Sequence, residues 1–318
     1  MSAHPAEILA VTYHYLTGSV FPGPGVHPFR PERFRVQVEA LSRTCRFLSL
    51  GDLEGETLPD PGRASRYAVL TFDDGLAEQA EAAVPVLEAM GIPGAFFPCT
   101  ATLGTGRLLH VHRIHALQSA MPDSELLLLF LDLAVRLGFE ESVEMISQGE
   151  GEGALYPYDS PGTRAMKSLF NYRLPPGERE ALSEAAFAEI YGPEAPWAKR
   201  LYMSPETVRK LSEAGFLGTH THAHRPLGQL DGKSIRREIA ESLDILEQTT
   251  GRRPASVSYP YGNRLAVSEE VFQIAAECGL VCGFTTERAT SPAGADRLNL
   301  GRFDAEDLPP GKRPIVAL

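Results

Sequence analysis

Residues 67–75 read Tyr67-Ala68-Val69-Leu70-Thr71-Phe72-Asp73-Asp74-Gly75, six apolar or β-prone residues running straight into two carboxylates and a glycine. A continuous apolar run, rather than strict alternation, marks a strand covered on both faces, as in a parallel sheet. The stretch after it, Leu76 to Met90, has helical periodicity and stops at Gly91, and Gly94 to Phe97 is again strand-like. Strand, helix, strand is the order that parallel pairing requires, because neighbouring parallel strands need a crossover.

The same rhythm extends to both sides. Upstream, Ile8 to Tyr13 reads as a buried strand and Pro31 to Thr44 as an amphipathic helix with proline in its first turn. Downstream, Pro205 to Ala214 (helix), Phe216 to Thr219 (strand), Lys233 to Thr250 (helix), Ala255 to Tyr259 (strand), Ser268 to Cys278 (helix), Val281 to Thr285 (strand) and Leu298 to Phe303 (strand) continue it. The expected class is α/β, a distorted (β/α) barrel with its chemistry at the strand ends.

Residues 105–200 break the rhythm. They hold helical periodicity at Ser124 to Gly138 and Glu178 to Tyr191, around a glycine-rich stretch from Gly149 to Gly153. Because a structureless loop of that length is improbable, the expectation is a barrel domain of residues 1–104 and 201–318 with a mostly helical inserted subdomain, 105–200, over the active site.

A formal charge of −11 argues against a general nucleic-acid binder, which needs clustered Lys and Arg. The first fifteen residues lack the basic start and long apolar run of an export signal, and Leu126 to Leu137 is too short, and interrupted by Asp132 and Arg136, to span a bilayer. A cytoplasmic protein without a transmembrane segment is expected. Four scattered cysteines, 45, 99, 278 and 282, do not make a disulfide framework. Oligomeric state is not legible.

Two carboxylates side by side repel, so both stay ionised only beside a cation or hydrogen-bond donors; the alternative is that Asp73-Asp74-Gly75 is simply turn chemistry. A second stretch, His220-Thr221-His222-Ala223-His224, also follows a strand-like run. Two imidazoles four apart can converge on one ion, and with one carboxylate they form a set that leaves positions open for water and substrate.

Together these stretches resemble the polysaccharide deacetylase family, carbohydrate esterase family four, with its T-F-D-D-G and H-[ST]-x-x-H motifs. Ser258-Tyr259-Pro260-Tyr261-Gly262 resembles the third motif, R-x-P-Y, without its Arg. Val11-Thr12-Tyr13-His14 is similar to the "Y-H" strand of the circularly permuted subgroup that includes biofilm poly-N-acetylglucosamine deacetylases. The resemblance covers residues 8–103 and 201–303.

It implies a metal-dependent hydrolase that removes an N-acetyl or other N-acyl group from an amino-sugar-containing substrate. Asp73 would be the general base toward the attacking water and His14 the acid that protonates the leaving amine. Asp74, His220 and His224 would hold one divalent ion, zinc by default with cobalt or nickel as substitutes, which polarises the amide carbonyl. The Tyr261 N–H would serve the oxyanion, Pro260 and Tyr261 would line the sugar pocket, and Arg302, in Leu300-Gly301-Arg302, would replace the absent motif-three Arg beside Asp73.

Two other readings stay open: a deformylase or other amide hydrolase on a non-sugar small molecule, and a non-catalytic metal- or glycan-binding protein. In the insertion, His110, His112 and His115 could contact substrate, with Arg107 and Arg113 as partners for an anionic group. Tyr156, Tyr158, Tyr172 and Trp197 could stack on sugar rings or build the subdomain's own core.

Overall fold

The structure, a computed structural model, describes residues 7–23, 26–62, 64–148 and 159–318. It divides into two compact units, one formed by Met1–Thr17, Pro28–Gly104 and Leu201–Leu318, the other by Gly18–His27 and Thr105–Arg200. Gly149 to Gly153, Tyr156 and Tyr158 lie outside the described residues.

Among the described residues the first unit contains eight strands: β1 (Glu7–Tyr13), β2 (Cys45–Phe47), β3 (Arg66–Asp74), β4 (Ala95–Pro98), β5 (Ser256–Ser258), β6 (Cys282–Phe284), β7 (Ser291–Pro292) and β8 (Arg302–Asp304). β1 lies parallel between β3 and β8, and β3 continues parallel to β4. Phe96 bridges Leu217, Thr219 bridges Val257 on β5, β5 pairs with β6, and Phe284 bridges Leu300, two residues before β8. These pairings close a ring of seven parallel staves, a (β/α) barrel. β2 lies along the start of β3 and β7 runs antiparallel to the start of β1.

β3 is buried from Tyr67 to Asp74, which accounts for its unbroken apolar run. Between the strands and the helices around them, Phe72 stacks on Phe96 with ring centroids 4.4 Å apart and on Tyr13 at 5.2 Å. Around them pack Leu70, Phe34, Val38, Leu87 and Val208.

Several elements differ from expectation. The single helix expected over Leu76 to Met90 is two, Ala77–Ala82 and Val84–Met90, because Pro85 has no N–H to give and its ring collides with the carbonyl four residues back. Phe216 to Thr219 is a stave held by bridges on both sides rather than a ladder strand. There Gly218 is pressed so closely that a Cβ would come within 2.9 Å of the Ser256 carbonyl oxygen. The last strand begins at Arg302, not Leu298, and follows Gly301, where a Cβ would meet the carbonyl oxygens of Ala289 and Glu287 at 2.7 and 2.8 Å.

The second unit is helical, with segments His110–Ala120, Asp123–Leu137, Glu140–Gln148, Pro161–Ser168 and Pro176–Tyr191 and a π-helical turn at Leu169–Arg173. Phe130 and Phe170 meet at 4.1 Å in its core, with Leu117, Leu126, Leu182 and Ala186 around them. Phe21 stacks on Trp197 at 5.2 Å and meets Tyr191 edge-on at 5.6 Å. No helix among the described residues is long and apolar enough to cross a membrane.

Candidate metal and hydrolytic site

β3 delivers Asp73 and Asp74 to one end of the barrel, and the two side chains part there. The backbone turns left-handed at Asp74, φ 74°, and again at Gly75, φ 69°. Only a glycine fits the second position, since a Cβ would stand 2.7 Å from that of Pro98. Adjacent residues on a strand point to opposite sides, and the left-handed turn fixes where Asp74 points.

Asp74 is 4% exposed. Its Oδ1 lies 3.4 Å from Nε2 of His220 and 3.4 Å from Nε2 of His224. One ligand atom from each of these three residues falls within 4.8 Å of the other two, the one such group of potential metal ligands among the described residues. The donors fit a divalent ion: an O,N,N set with both imidazoles presenting Nε2. His220 Nδ1 lies 2.6 Å from the Ser258 carbonyl oxygen. An N–H there donates to that carbonyl, assigning the tautomer that leaves Nε2 its lone pair.

The histidine loop is held from several sides. His220 N–H donates to the Pro98 carbonyl and Ala101 N–H to the His222 carbonyl. Ala223 N–H donates to the Glu238 carboxylate at 2.8 Å, and the Cys99 thiol to the His220 carbonyl at 3.1 Å. Thr221 and His224 also have left-handed backbones, φ 61° and 56°. Among the described residues only Asp74, Thr221, His224 and Tyr261 are non-glycine residues with positive φ, and strain gathered in this way is a mark of functional sites.

Asp73 is 2% exposed and enclosed differently. Arg302 Nη1 donates to its Oδ1 at 3.0 Å while Nη2 stands 2.9 Å from Oδ2. Arg302 is itself fixed by Nε donating to the Thr285 carbonyl and Nη1 to the Thr71 hydroxyl. Burial works against the charge on Asp73, but Arg302, His220 and His14 overcome it and hold the carboxyl down at about 2. Burial also works against a charged His220, yet Asp73 and Asp74 raise its pKa above the usual imidazole value.

His14 follows β1 directly and is 40% exposed, with Nε2 4.0 Å from Asp73 Oδ2. Tyr261, φ 61°, sets its ring edge-on to His224 at 4.6 Å, and its carbonyl accepts from the Thr286 hydroxyl at 2.8 Å. Pro260 beside it is buried. The eight sequence-selected residues, His14, Asp73, Asp74, His220, His224, Pro260, Tyr261 and Arg302, thus all belong to the barrel unit, at or just after strand ends.

The sequence reading missed four residues of this neighbourhood. Glu78 and Gln79 hold the chain after β1, Glu238 holds the histidine loop, and Asp304 lies level with Thr12 in the β1/β8 register. Burial pushes the Asp304 carboxyl above its usual range while the nearby His14 pulls the other way. Nothing local in the sequence marks these four, because their partners are remote or on another element.

The second histidine cluster is no anionic pocket. His110 is buried and its ring nitrogens lie 3.1 Å from the Ser183 hydroxyl and the Phe170 carbonyl. Arg113 is fully buried and bound to Glu194 at 2.6 Å and Glu180 at 2.5 Å, so its charge is answered within its own unit. Arg107, half exposed, faces Glu184 at 3.7 Å. The Trp197 indole donates to the Tyr191 carbonyl, which makes this aromatic part of the unit's core.

Comparison with known proteins agrees with the barrel fold. Residues 185–283 match the polysaccharide deacetylase family model. A 64-residue stretch is 38% identical to the peptidoglycan-N-acetylmuramic acid deacetylase PdaC of Bacillus subtilis (strain 168), covering 20% of this chain and 14% of that protein's length. The deacetylase PplD of Streptococcus pyogenes, solved with acetate, superposes with a TM-score of 0.57 at 15% identity over 94% of this chain and 92% of its own. IcaB of Ammonifex degensii gives 0.54 at 15% identity over 94% and 91%, and the BpsB deacetylase domain of Bordetella bronchiseptica 0.54 at 16% over 94% and 95%. At these identities the superpositions establish the fold.

Proposed function

We propose that this chain, whose residues 185–283 match the polysaccharide deacetylase family model, is a metal-dependent hydrolase that removes the acetyl group from an N-acetylated amino sugar. The observation that carries the reading is the division of labour between two neighbouring carboxylates. Asp73 is locked to Arg302, and Asp74 converges with two histidines.

Asp73, its carboxyl held well below the usual range by Arg302, His220 and His14, is the base, taking a proton from the water that attacks the amide carbon. His14, 4.0 Å away, is the acid, giving a proton to the nitrogen as the C–N bond breaks. Asp74, His220 and His224 would hold a divalent ion, which would supply Lewis-acid polarisation of the carbonyl and lower the pKa of water; zinc suits the donor set, and cobalt and nickel fit it as well. The Tyr261 N–H serves the developing oxyanion, and Pro260 with the Tyr261 ring forms one wall for the sugar. Arg302 keeps the Asp73 proton affinity low and its carboxylate oriented.

The test is metal analysis of the purified protein, then acetate and formate release from a panel of N-acyl sugars, with Asp73→Asn as control. Acetate release by the wild type and none by Asp73→Asn supports the proposal. Formate alone, or turnover only of non-sugar amides, moves the substrate to the second class named above. No turnover with zinc, cobalt or nickel overturns it.

A further inference from the structure

We propose that Gln79 is a positioning residue that ties the strand carrying the acid to the strand carrying the base; this rests on the reading of His14 and Asp73 as that pair. Gln79 is 0% exposed. Its single Nε2 donates both hydrogens to backbone carbonyls, to that of His14 at 2.9 Å and that of Asp73 at 2.6 Å. Turning the amide over would set its oxygen against two carbonyl oxygens, so the hydrogen-bond network assigns the orientation.

This bridge is held at a cost. The Gln79 Oε1 is buried and has no hydrogen-bond partner among the described residues, and such a group in a native fold calls for an explanation. An apolar side chain of the same length would avoid the orphaned acceptor but would also release the two carbonyls. The neighbouring Glu78 works on the same loop, its carboxylate accepting from the N–H groups of Leu16 and Thr17 at 2.5 and 2.9 Å and from the Thr17 hydroxyl.

The two ends of the bridge do not depend on it equally. Asp73 lies inside the β3/β4 ladder, opposite Phe97, and both its carboxylate oxygens face Arg302. His14 lies one residue beyond the last β1 pair, Tyr13 with Phe72, so its backbone is placed chiefly by residues 78 and 79. Loss of the Gln79 donors therefore misplaces the acid and leaves the base in position.

That asymmetry can be read with two substrates. In amide hydrolysis water oxygen bonds to the carbonyl carbon, the C–N bond breaks, and the amine nitrogen leaves with a proton from the acid. In 4-nitrophenyl acetate the C–O bond breaks and 4-nitrophenolate leaves without needing that proton. With zinc-loaded full chain, Gln79→Met is expected to lower the ratio of N-acetylglucosamine-tetramer to 4-nitrophenyl acetate hydrolysis about tenfold or more, in the direction of His14→Ala, since general acid catalysis contributes about 10² to 10⁴. In spectra of 15N-histidine-labelled protein the His14 signals, assigned by their loss in His14→Ala, are expected to broaden or split.

Gln79→Glu, which keeps the shape and offers at most one hydrogen, is the second variant should Gln79→Met not fold. An unchanged ratio in a folded variant, or unchanged His14 signals, overturns the positioning role alone. A wild type inactive on both substrates overturns the hydrolase reading and this role with it.

Discussion

Arg302 closes on Asp73 with two guanidinium nitrogens, 3.0 and 2.9 Å from the two carboxylate oxygens, across 229 residues of sequence. Both groups are almost wholly buried, and neither is tolerable there without the other. Removing one partner of such a pair typically costs about 3–5 kcal/mol.

Arg302→Met is accordingly expected to let burial act on Asp73 with only the histidines opposing it. The carboxyl, held at about 2 against an ordinary 3.8, should move upward, and the acid limb of the pH–rate profile should rise with it by at least about one unit. In the wild type the depressed value adds stability, on the order of 2 kcal/mol, that is full above pH 3.8 and lost as the pH falls through about 2. An acid limb and an acid-unfolding midpoint unchanged in Arg302→Met would sink this account.

The metal group gives a prediction of opposite sign. His220 has a raised pKa in the protein without metal, so its contribution is full below the ordinary value of about 6.5 and fades as the pH rises through the higher folded value. A divalent ion has to displace that proton, so its binding strengthens over the same range. With a chelator present the melting temperature should fall as the pH rises above about 6.5, and with zinc it should hold or rise. His224→Ala should abolish stoichiometric zinc in elemental analysis; identical pH trends with and without zinc would refute the assignment.

Gly75→Ala tests the turn that parts the two carboxylates. The added methyl would demand φ near 69° of a residue with a Cβ and would sit 2.7 Å from the Pro98 Cβ and 2.9 Å from its Cα. A loss of about 2–4 kcal/mol in denaturant unfolding is expected, with reduced zinc content, because Asp74 is the next residue back. A loss under about 1 kcal/mol would mean that the loop yields easily.

In the helical unit, Arg113→Met should leave Glu194 buried without its cation. Glu194 is 14% exposed and Glu180 43%, so water can rescue Glu180 and the cost falls mainly on Glu194, about 2–4 kcal/mol. Hydrogen exchange should rise in His110–Ala120 and Pro176–Tyr191. Unchanged protection there would show that the buried charge does little for this unit.

What the sequence discloses depends on distance along the chain. The barrel class followed from β3 and its apolar neighbours, because a strand buried on both faces writes its burial into its own composition. The candidate ligands were legible because D-D-G and H-x-x-x-H are local. Gln79 and Glu238 were not, since a polar residue in a helix looks the same whether it faces water or a carbonyl brought in from another strand. The Arg113 expectation failed for the same reason: its acids are 67 and 81 residues away. Gly18–His27 belongs to the helical unit through Phe21 and its contacts with Tyr191 and Trp197, pairings that no local pattern announces.

β1 lies between β3 and β8, which has a consequence for the order in which the chain can fold during synthesis. β1 precedes the other barrel strands along the chain, yet it waits for residues 302–304 before it has both neighbours, and Asp73 waits as long for its guanidinium. Such remote pairings make for slow folding and for partly folded states with open strand edges. A nascent chain released before Arg302 emerges would leave β1 with an unpaired edge and Asp73 without its counter-charge, a species for chaperones to hold rather than a smaller enzyme.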